Sequence, residues 1–460
     1  MLEKFFGFKE HRTNLRTEVI AGVTTFMTMA YIIFVNPSIL SVAMGADKFP
    51  AIMTATILAA ALSSILMGLF TNYPFALASG MGLNAFFAFT VVIGMGAPWQ
   101  AALGAVFISG IAFLVLSVAG VVEWIDAAVP GSLKKAVAAG IGLFIALIGL
   151  KNAYIVISNP PTLVALGNLT SPPVFLAVLG LAITAMLIAA KVRGGILVGI
   201  LATTALGWFF PSADAYADGA SFIGWFFGTG TETVTSIPTG LGSFINLNLA
   251  TNFRELGQIA FQLDLRGAIG LGFMTLFALV FVDLFDTMGT LLGTGARAGF
   301  LDEKGQLPKV KNAMIVDAFG TMFGALMGTS TVTTYVESTA GVSEGGRTGM
   351  TAVVVGVLFL LALFLTPLAG MIPAAATAPA LIIVGVLMMG AITGINFEDF
   401  TEAFPAFLTI AFMPFAFSIA DGIAIGFLAY PLVKVVAGRY KEVHWFIYIL
   451  AVIAAVHFFV

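Results

Sequence analysis

The chain has 460 residues, of which 60% are hydrophobic and 9% charged, with a net charge of −3 and no cysteine. A soluble domain of average composition carries about 25% charged residues, so this chain has too few to cover itself with polar surface. The lack of cysteine excludes disulfides, thiolate metal sites and a cysteine nucleophile. The 20 basic residues are scattered, so neither a nucleic-acid groove nor a polybasic lipid patch is indicated.

Apolar windows recur from Thr17 to the C-terminus. Windows of about 20 residues can cross about 30 Å of hydrocarbon as helices, whereas barrel strands would alternate apolar and polar residues. The spans predicted in the first half are 17–35, 51–70, 80–95, 100–122, 136–150, 173–190 and 194–210. Those predicted in the second half are 266–291, 312–328, 334–344, 350–371, 376–391, 404–418 and 420–437. The expected fold class is an all-α polytopic membrane protein.

The third and tenth spans are unusual because residues 76–88 and 330–346 are rich in Gly, Ser, Thr and Asn. Irregular backbone at membrane depth is tolerated only where it is buried or lines a cavity. Interrupted segments at matching places in two halves indicate a transporter's binding site. We expect 76–79 and 330–334 to be short extended stretches that lead into two half-helices.

A weak internal similarity between residues 133–150 and 372–389 supports a duplication. Because each half has an odd number of spans, the second repeat would be inverted relative to the first.

Positive charge predicts the orientation. Most basic loop residues fall on one side if the N-terminus is cytoplasmic, whereas the acidic connection 211–265 falls on the other. The N-terminal segment lacks an apolar run closed by a small-residue cleavage site, so we expect a cytoplasmic lead-in. The hydrophobic stretch 443–460 either lies in the interface or crosses the membrane, and the sequence leaves both open.

Ionisable residues inside the spans are the informative ones. Asp283 and Asp286 stand at i and i+3, so both carboxylates project from one helix face. Each would cost about 2.5 to 3.5 kcal/mol at a bilayer centre, so it must face a cavity or a partner. Glu337 lies in the second interrupted segment. The alternative for all three is that a buried carboxylate bonds backbone amides at a broken helix end.

Asn84 is a candidate either for binding a ligand or for capping the half-helix that follows it. Asp317 and Asp421 are interpreted as packing or gating groups. All three histidines lie outside the suspected core, so a proton relay would have to use carboxylates. No phosphate loop, nucleophile–base set or metal cluster is recognisable, so neither an enzyme nor a bound cofactor is expected.

Six strings resemble the AzgA-like purine permeases of the nucleobase-cation symporter-2 group, especially the bacterial guanine and hypoxanthine permeases. They are TTFMTMAYIIFVNP (24–37), GMGLNAFFAF (80–89), GIGLFIALIGL (140–150), FVDLFDTMGTL (281–291), GTSTVTTYVESTAGVSEGGRTG (328–349) and FLTIAFMPFAFSIADGIAIGF (407–427). The C-terminal KEVHWFIYIL (441–450) extends the resemblance, which covers nearly the whole chain.

The resemblance implies 14 segments in two inverted repeats. Segments 1–4 (residues 1–130) and 8–11 (266–371) would form a substrate-carrying core. Segments 5–7 with an extracellular connection (131–265) and 12–14 with the C-terminal tail (372–460) would form a gate that dimerises. Members are generally proton symporters of the cell membrane with an elevator-like motion.

The resemblance also implies roles for individual residues. Asp283 and Glu337 match the family's substrate-binding carboxylates, Asp286 matches the neighbouring acid and Asn84 matches the polar residue of segment 3. Tyr335 matches a position that stacks on the base in relatives, and Ser79 and Thr334 in the extended stretches are further substrate-binding candidates. Asp283, Asp286 and Glu337 are the candidates for proton coupling.

The function expected from this resemblance is proton-coupled uptake of guanine or hypoxanthine. The alternatives are an adenine-preferring permease and, with less support, an anion exchanger of the same fold, which would require positive potential where this chain has acids. A channel would need a continuous polar path rather than two interrupted segments. The choice of purine and of proton or sodium coupling stays open.

Overall fold

The structure, a computed structural model, describes residues 2–212, 233–235, 242, 244–302 and 306–459. Much of the predicted connection 211–265, including 213–232, lies outside the described residues. The helices before it are α1 Leu2–Phe5, α2 Leu15–Met29, α3 Ile32–Met44, α4 Phe49–Thr71, α5 Met81–Ala85 continued by a π-helix Phe86–Gly94, α6 Trp99–Ala119, α7 Val122–Ala128, α8 Gly131–Asn152, α9 Pro172–Ala189 and α10 Gly195–Leu206. Those after it are α11 Leu249–Leu256, α12 Leu265–Gly270, α13 Phe273–Ala298, α14 Val310–Met327, α15 Ser338–Ser343, α16 Gly349–Ala362, α17 Ala374–Met389, α18 Phe400–Phe415, α19 Ile419–Val436 and α20 Trp445–Phe459.

Short 3₁₀ turns adjoin several of these helices, at Ala46–Lys48, Gly207–Phe209, Leu363–Met371, Gly390–Gly394 and Tyr440–Glu442. Nine helical stretches among the described residues are long and apolar enough to span a membrane, and further apolar helices are shorter. Three of the shorter helices, Met81–Gly94, Gly195–Phe209 and Phe400–Phe415, together with α14 and the interrupted tenth segment, complete the 14 segments expected from the sequence. The fourth shorter helix, α20, follows them.

The two interrupted segments contain the expected extended stretches. Strand β1, Leu77–Ser79, precedes α5, and strand β4, Val332–Thr334, lies shortly before α15. They pair antiparallel, with Leu77 opposite Thr334 and Ser79 opposite Val332. A second two-stranded sheet, β2 Val156–Asn159 with β3 Leu163–Leu166, follows α8 and was not predicted.

The strongest helix contacts fall into two groups. In one group α4 packs on α14 and α16, α14 on α6, and α16 on α2. In the other, α8 packs on α17 and α18, α17 on α9, and α18 on α19.

Paired glycines permit the closest helix contact in each group. A Cβ atom on Gly349 of α16 would lie 1.9 Å from the carbonyl oxygen of Gly68 on α4. A Cβ atom on Gly385 of α17 would lie 2.4 Å from the carbonyl oxygen of Gly142 on α8. Small residues therefore let these backbones touch, as is common between membrane helices.

The stretch 443–460, whose placement the sequence left open, contains the 15-residue helix α20. At 1.5 Å per residue this helix is about 22 Å long, short of the roughly 30 Å hydrocarbon thickness. It packs along α19, with Ile447, Leu450 and Ala454 buried.

An ion cluster closes one end of the second group. Lys434 at the end of α19 is fully buried, and its Nζ lies 2.6 Å from Glu402 Oε1 and 2.9 Å from Glu442 Oε2. Arg439 joins the cluster at 2.6 Å from Asp399 Oδ2 and 2.7 Å from Glu442 Oε1. A buried ammonium is tolerated only when it is paired in this way.

The cluster makes stability depend on pH. The hydrogen bond from Arg439, with a smaller contribution from that of Thr401, lowers the pKa of Asp399 to about 2. The hydrogen bond from Arg439, with a smaller contribution from that of Lys434, lowers the pKa of Glu442 to about 2. Because unfolded carboxyls titrate near 4, this stabilisation is complete above about pH 5 and is lost as the pH falls towards 2.

Arg439→Gln removes the donor shared by the two carboxylates, so it should lower the unfolding temperature at pH 6. Between pH 5 and pH 3 the unfolding temperature of the variant should also fall by less than that of the unmodified protein, as measured by thermal unfolding in detergent. Arg254→Gln, at an exposed position on α11, is the matched control. An equal fall in unfolding temperature on acidification in the Arg439 variant and the unmodified protein would contradict the assignment.

Candidate functional site

The site is built where the two interrupted segments cross. Tyr335 N donates to Ala76 O at 3.0 Å and Gly80 N donates to Thr331 O at 3.0 Å, extending the β1–β4 ladder at both ends. Both strands are buried along their whole length. The pairing satisfies backbone groups that neither a helix nor water serves at this depth.

A cavity of about 190 Å³ lies at this crossing. Its two acidic side chains are Asp286 of α13 and Glu337 at the start of α15. The remaining walls are Gly80, Met81 and Gly82 of the third segment, Thr290 of α13, Thr333, Thr334, Tyr335 and Val336 of the tenth, and Val384, Leu387 and Met388 of α17. The cavity therefore lies between the two groups of helices.

A wider cavity of about 490 Å³ adjoins the first and shares Gly82, Asp286, Thr290 and Met388 with it. Lys134 and Lys135, at the start of α8, line its other side. On the far end of α8, a separate cavity of about 640 Å³ is lined by Lys151, Asn152 and Tyr154, among others. The crossing is thus continuous with the Lys134 end of the protein.

The predicted site residues fall into two sets. Asp286, Glu337, Tyr335 and Thr334 line the crossing cavity. Asp283, Asn84 and Ser79 are fully buried behind it and are not among its lining residues.

The second set has partners of its own. Asp283 Oδ2 accepts a bond of 3.3 Å from Thr321 Oγ1, and Asn84 Oδ1 accepts one from Ser330 Oγ. Ser79 Oγ lies 3.2 Å from Thr329 Oγ1. These three residues support the crossing from behind.

Asp317, interpreted from the sequence as a packing or gating group, is fully buried on α14 and interacts electrostatically with Asp283. Thr334 Oγ1 donates to Asp317 Oδ1 at 3.4 Å. Asp283 Oδ1 and Asp317 Oδ2 are buried without a hydrogen-bond partner in the described part of the chain. The structure therefore adds Asp317, which was predicted to be a packing or gating group, to the three candidate acids.

Asn36 in segment 1 was not singled out from the sequence. Its Nδ2 lies 2.6 Å from Thr56 Oγ1, 2.8 Å from Thr329 Oγ1 and 3.3 Å from Ser79 Oγ. The signal available was an amide inside an otherwise apolar helix. This residue ties segments 1 and 2 to the crossing.

Tyr31, also in segment 1, was likewise missed. Its hydroxyl donates to Glu337 Oε1 at 2.6 Å, whereas the Tyr335 hydroxyl donates to Ser79 O at 2.6 Å. A tyrosine in an apolar run carries little signal, because such residues are common at helix contacts. Both hydroxyls lie beside the crossing in the structure.

The profile of a permease family, the xanthine/uracil permeases, matches residues 16–425 of the chain. The chain is 46% identical to the adenine permease AdeP of Escherichia coli, over 98% of this chain and 95% of that protein. It is 43% identical to the guanine/hypoxanthine permease PbuG of Bacillus subtilis, over 99% of each.

Among solved structures, the transmembrane domain of the cyanobacterial bicarbonate transporter BicA has a TM-score of 0.60 and 15% identity. The match covers 90% of this chain and 97% of that one. At this identity the likeness shows the fold alone, an arrangement of two inverted seven-segment repeats. Given the profile match and the full-length identity to two permeases, the chain belongs to the xanthine/uracil permease family.

Proposed function

We propose that this chain carries purine nucleobases into the cell together with protons, and that guanine and hypoxanthine are its preferred substrates. The observation that carries the proposal is the small cavity at the crossing, where Asp286 and Glu337 both reach one space. Full-length relatives named for adenine and for guanine and hypoxanthine support the same class of substrate.

The chemistry of the acids favours a base with N–H donors. An ionised carboxylate only accepts hydrogen bonds. Guanine presents a ring N–H beside its amino group, and a carboxylate can accept this pair in a bidentate fashion. A further ring N–H on the imidazole side of the purine suits a second acid. Adenine instead has an acceptor nitrogen beside its amino group, which fits a carboxylate less well.

Adenine is the second candidate because the chain is 46% identical to an adenine permease. An anion is disfavoured as substrate. The residues described as lining the crossing cavity include two acids and no lysine, arginine or histidine. An anion there would meet like charge in a site of low dielectric.

For proton coupling we propose the pair Asp283 and Asp317. Both are fully buried, and each has an oxygen without a hydrogen-bond partner in the described chain. Two buried carboxylates that repel each other cannot both stay ionised without a large cost, so one proton would be shared between them. Thr321 and Thr334 connect these acids to β4, so a change in protonation can reach the crossing.

The transport cycle we propose is of the elevator type. The core would be residues 1–130 and 266–371, and the gate 131–265 and 372–460, in line with the two groups of helix contacts. The positive-inside rule assigns the Lys134 end and the N-terminus to the cytoplasm, so the cavity would open inward. A homodimer in the cell membrane, joined through the gate, completes the proposal.

Uptake of radiolabelled guanine by cells that express the chain tests the substrate class. Unlabelled guanine and hypoxanthine should compete in the micromolar range, adenine less well, and uracil and sulfate not at all. Equal competition by uracil would contradict the purine assignment, and stronger competition by adenine would make adenine the substrate.

Glu337→Gln should weaken guanine binding, measured by scintillation proximity on purified protein. Removing one charge of a buried hydrogen-bonded pair typically costs about 2 to 5 kcal/mol, roughly a 30-fold to several-thousand-fold loss of affinity. Asp286→Asn should weaken guanine binding less, because Asp286 also lines the wider cavity, where water can replace the lost hydrogen bond. Glu398→Gln, at an exposed position, is the control and should bind as the unmodified protein does.

Asp283→Asn keeps the shape of the side chain but cannot titrate, so it should abolish accumulation against a gradient while guanine binding changes little. Concentrative uptake in proteoliposomes with an imposed proton gradient measures this, with a protonophore as the reference for complete loss. Asp47→Asn, at an exposed aspartate, is the control. Accumulation by the Asp283 variant at the unmodified rate would place the coupling proton elsewhere.

A further inference from the structure

Segment 1 contains a short turn at the level of the crossing. Helix α2 ends at Met29 and α3 begins at Ile32, and Ala30 and Tyr31 between them keep right-handed helical backbone angles. The Tyr31 side chain is fully buried, and its hydroxyl reaches Glu337, a residue 306 positions later in the chain. Tyr31 therefore supplies a phenol donor to an acid of the proposed substrate site.

The bond has two chemical consequences. A glutamate has three side-chain torsions, and a hydrogen bond of 2.6 Å to Oε1 restricts the rotation of its carboxylate. Tyrosine is a suitable anchor because it has only two side-chain torsions and loses little entropy. A donor to a carboxylate also favours the ionised form.

The two tyrosines beside the cavity differ in their partners. The Tyr335 hydroxyl donates to a backbone carbonyl, that of Ser79, so it secures the two strands at their crossing. The Tyr31 hydroxyl donates to the acid itself. Only Tyr31 therefore acts directly on the oxygen atoms of a proposed ligand-binding carboxylate.

We propose that Tyr31 is the positioning residue of the site: it holds Oε1 of Glu337 so that Oε2 faces the N–H donors of the base. This role rests on the proposed function. A hydrogen bond to a charged group contributes about 1.5 kcal/mol at the lower end of its usual range, which corresponds to about a tenfold change in affinity.

The test is a double-mutant cycle on guanine binding by the purified full-length chain. Tyr31→Phe alone should weaken binding about tenfold. In a Glu337→Gln background the same change should weaken guanine binding by about twofold or less, because the carboxylate charge to which the phenol donates is absent.

Tyr73→Phe is the matched control. Tyr73 is also buried, and its hydroxyl accepts a bond of 3.0 Å from Lys309 N, but it does not line the crossing cavity. This variant should bind guanine as the unmodified protein does. Elution profile and unfolding temperature confirm that each variant is folded.

A second measurement follows the pH dependence of guanine binding. In Tyr31→Phe, the loss of binding on acidification should begin at higher pH, because the Glu337 carboxylate has lost a donor that favours its ionised form. Asp286 and Tyr335, the other titratable groups that line the cavity with Glu337, are the same in the variant and in the unmodified protein. A purely structural role for Tyr31 would leave this profile in place.

Three results would overturn the role. They are an affinity of Tyr31→Phe within twofold of the unmodified protein, an equal loss in the Glu337→Gln background, and an unshifted pH profile. If the unmodified protein binds no purine at all, the proposed function itself is overturned and this role with it. Binding by the unmodified protein therefore separates the two failures.

Discussion

The structure depends on the hydrogen-bonding demand of backbone that is not helical at membrane depth. In hydrocarbon an unsatisfied amide or carbonyl group costs several kcal/mol, so two interrupted helices cannot be placed there separately. Each supplies three strand residues, and the β1–β4 ladder satisfies the backbone of both. Helix α5 and the turn before α15 both leave this ladder, and together with α13 and α17 they enclose the cavity.

The same crossing separates the acids into two environments. Asp286 and Glu337 lie on the cavity wall, where water or a ligand can reach them. Asp283 and Asp317 lie behind the strands, are fully buried and interact electrostatically. One turn of α13 separates Asp283 from Asp286, so the two roles proposed here, substrate binding for Asp286 and proton holding for Asp283, fall on neighbouring turns of one helix. Such a division would let substrate and proton occupy different atoms while sharing the threonines of β4.

The sequence predicted much of this architecture, because composition is decisive at membrane depth. Gly, Ser, Thr and Asn in two otherwise apolar segments were enough to predict the extended stretches at 76–79 and 330–334. The spacing of Asp283 and Asp286 placed both on one helix face, but it could not give the rotation of α13. That rotation decides which acid reaches the cavity, and it is set by packing against segments far away in the chain.

Other features were missed for similar reasons. Asp317 looked like a group near a span end, and only the fold shows it beside Asp283. Tyr31 and Asn36 act through partners some 300 residues away, a distance at which no local pattern carries information. The β2–β3 hairpin forms from short apolar stretches around two prolines that have no clear period, so neither helix nor strand was indicated.

The position of the bound base tests the central claim most directly. Cryo-electron microscopy of the protein in lipid nanodiscs with saturating guanine would show it. We predict density for a flat base in the crossing cavity, with base nitrogens within about 3.2 Å of the carboxylates of Glu337 and Asp286. Density only in the cavity near Lys151 and Tyr154, with the crossing empty, would contradict the account.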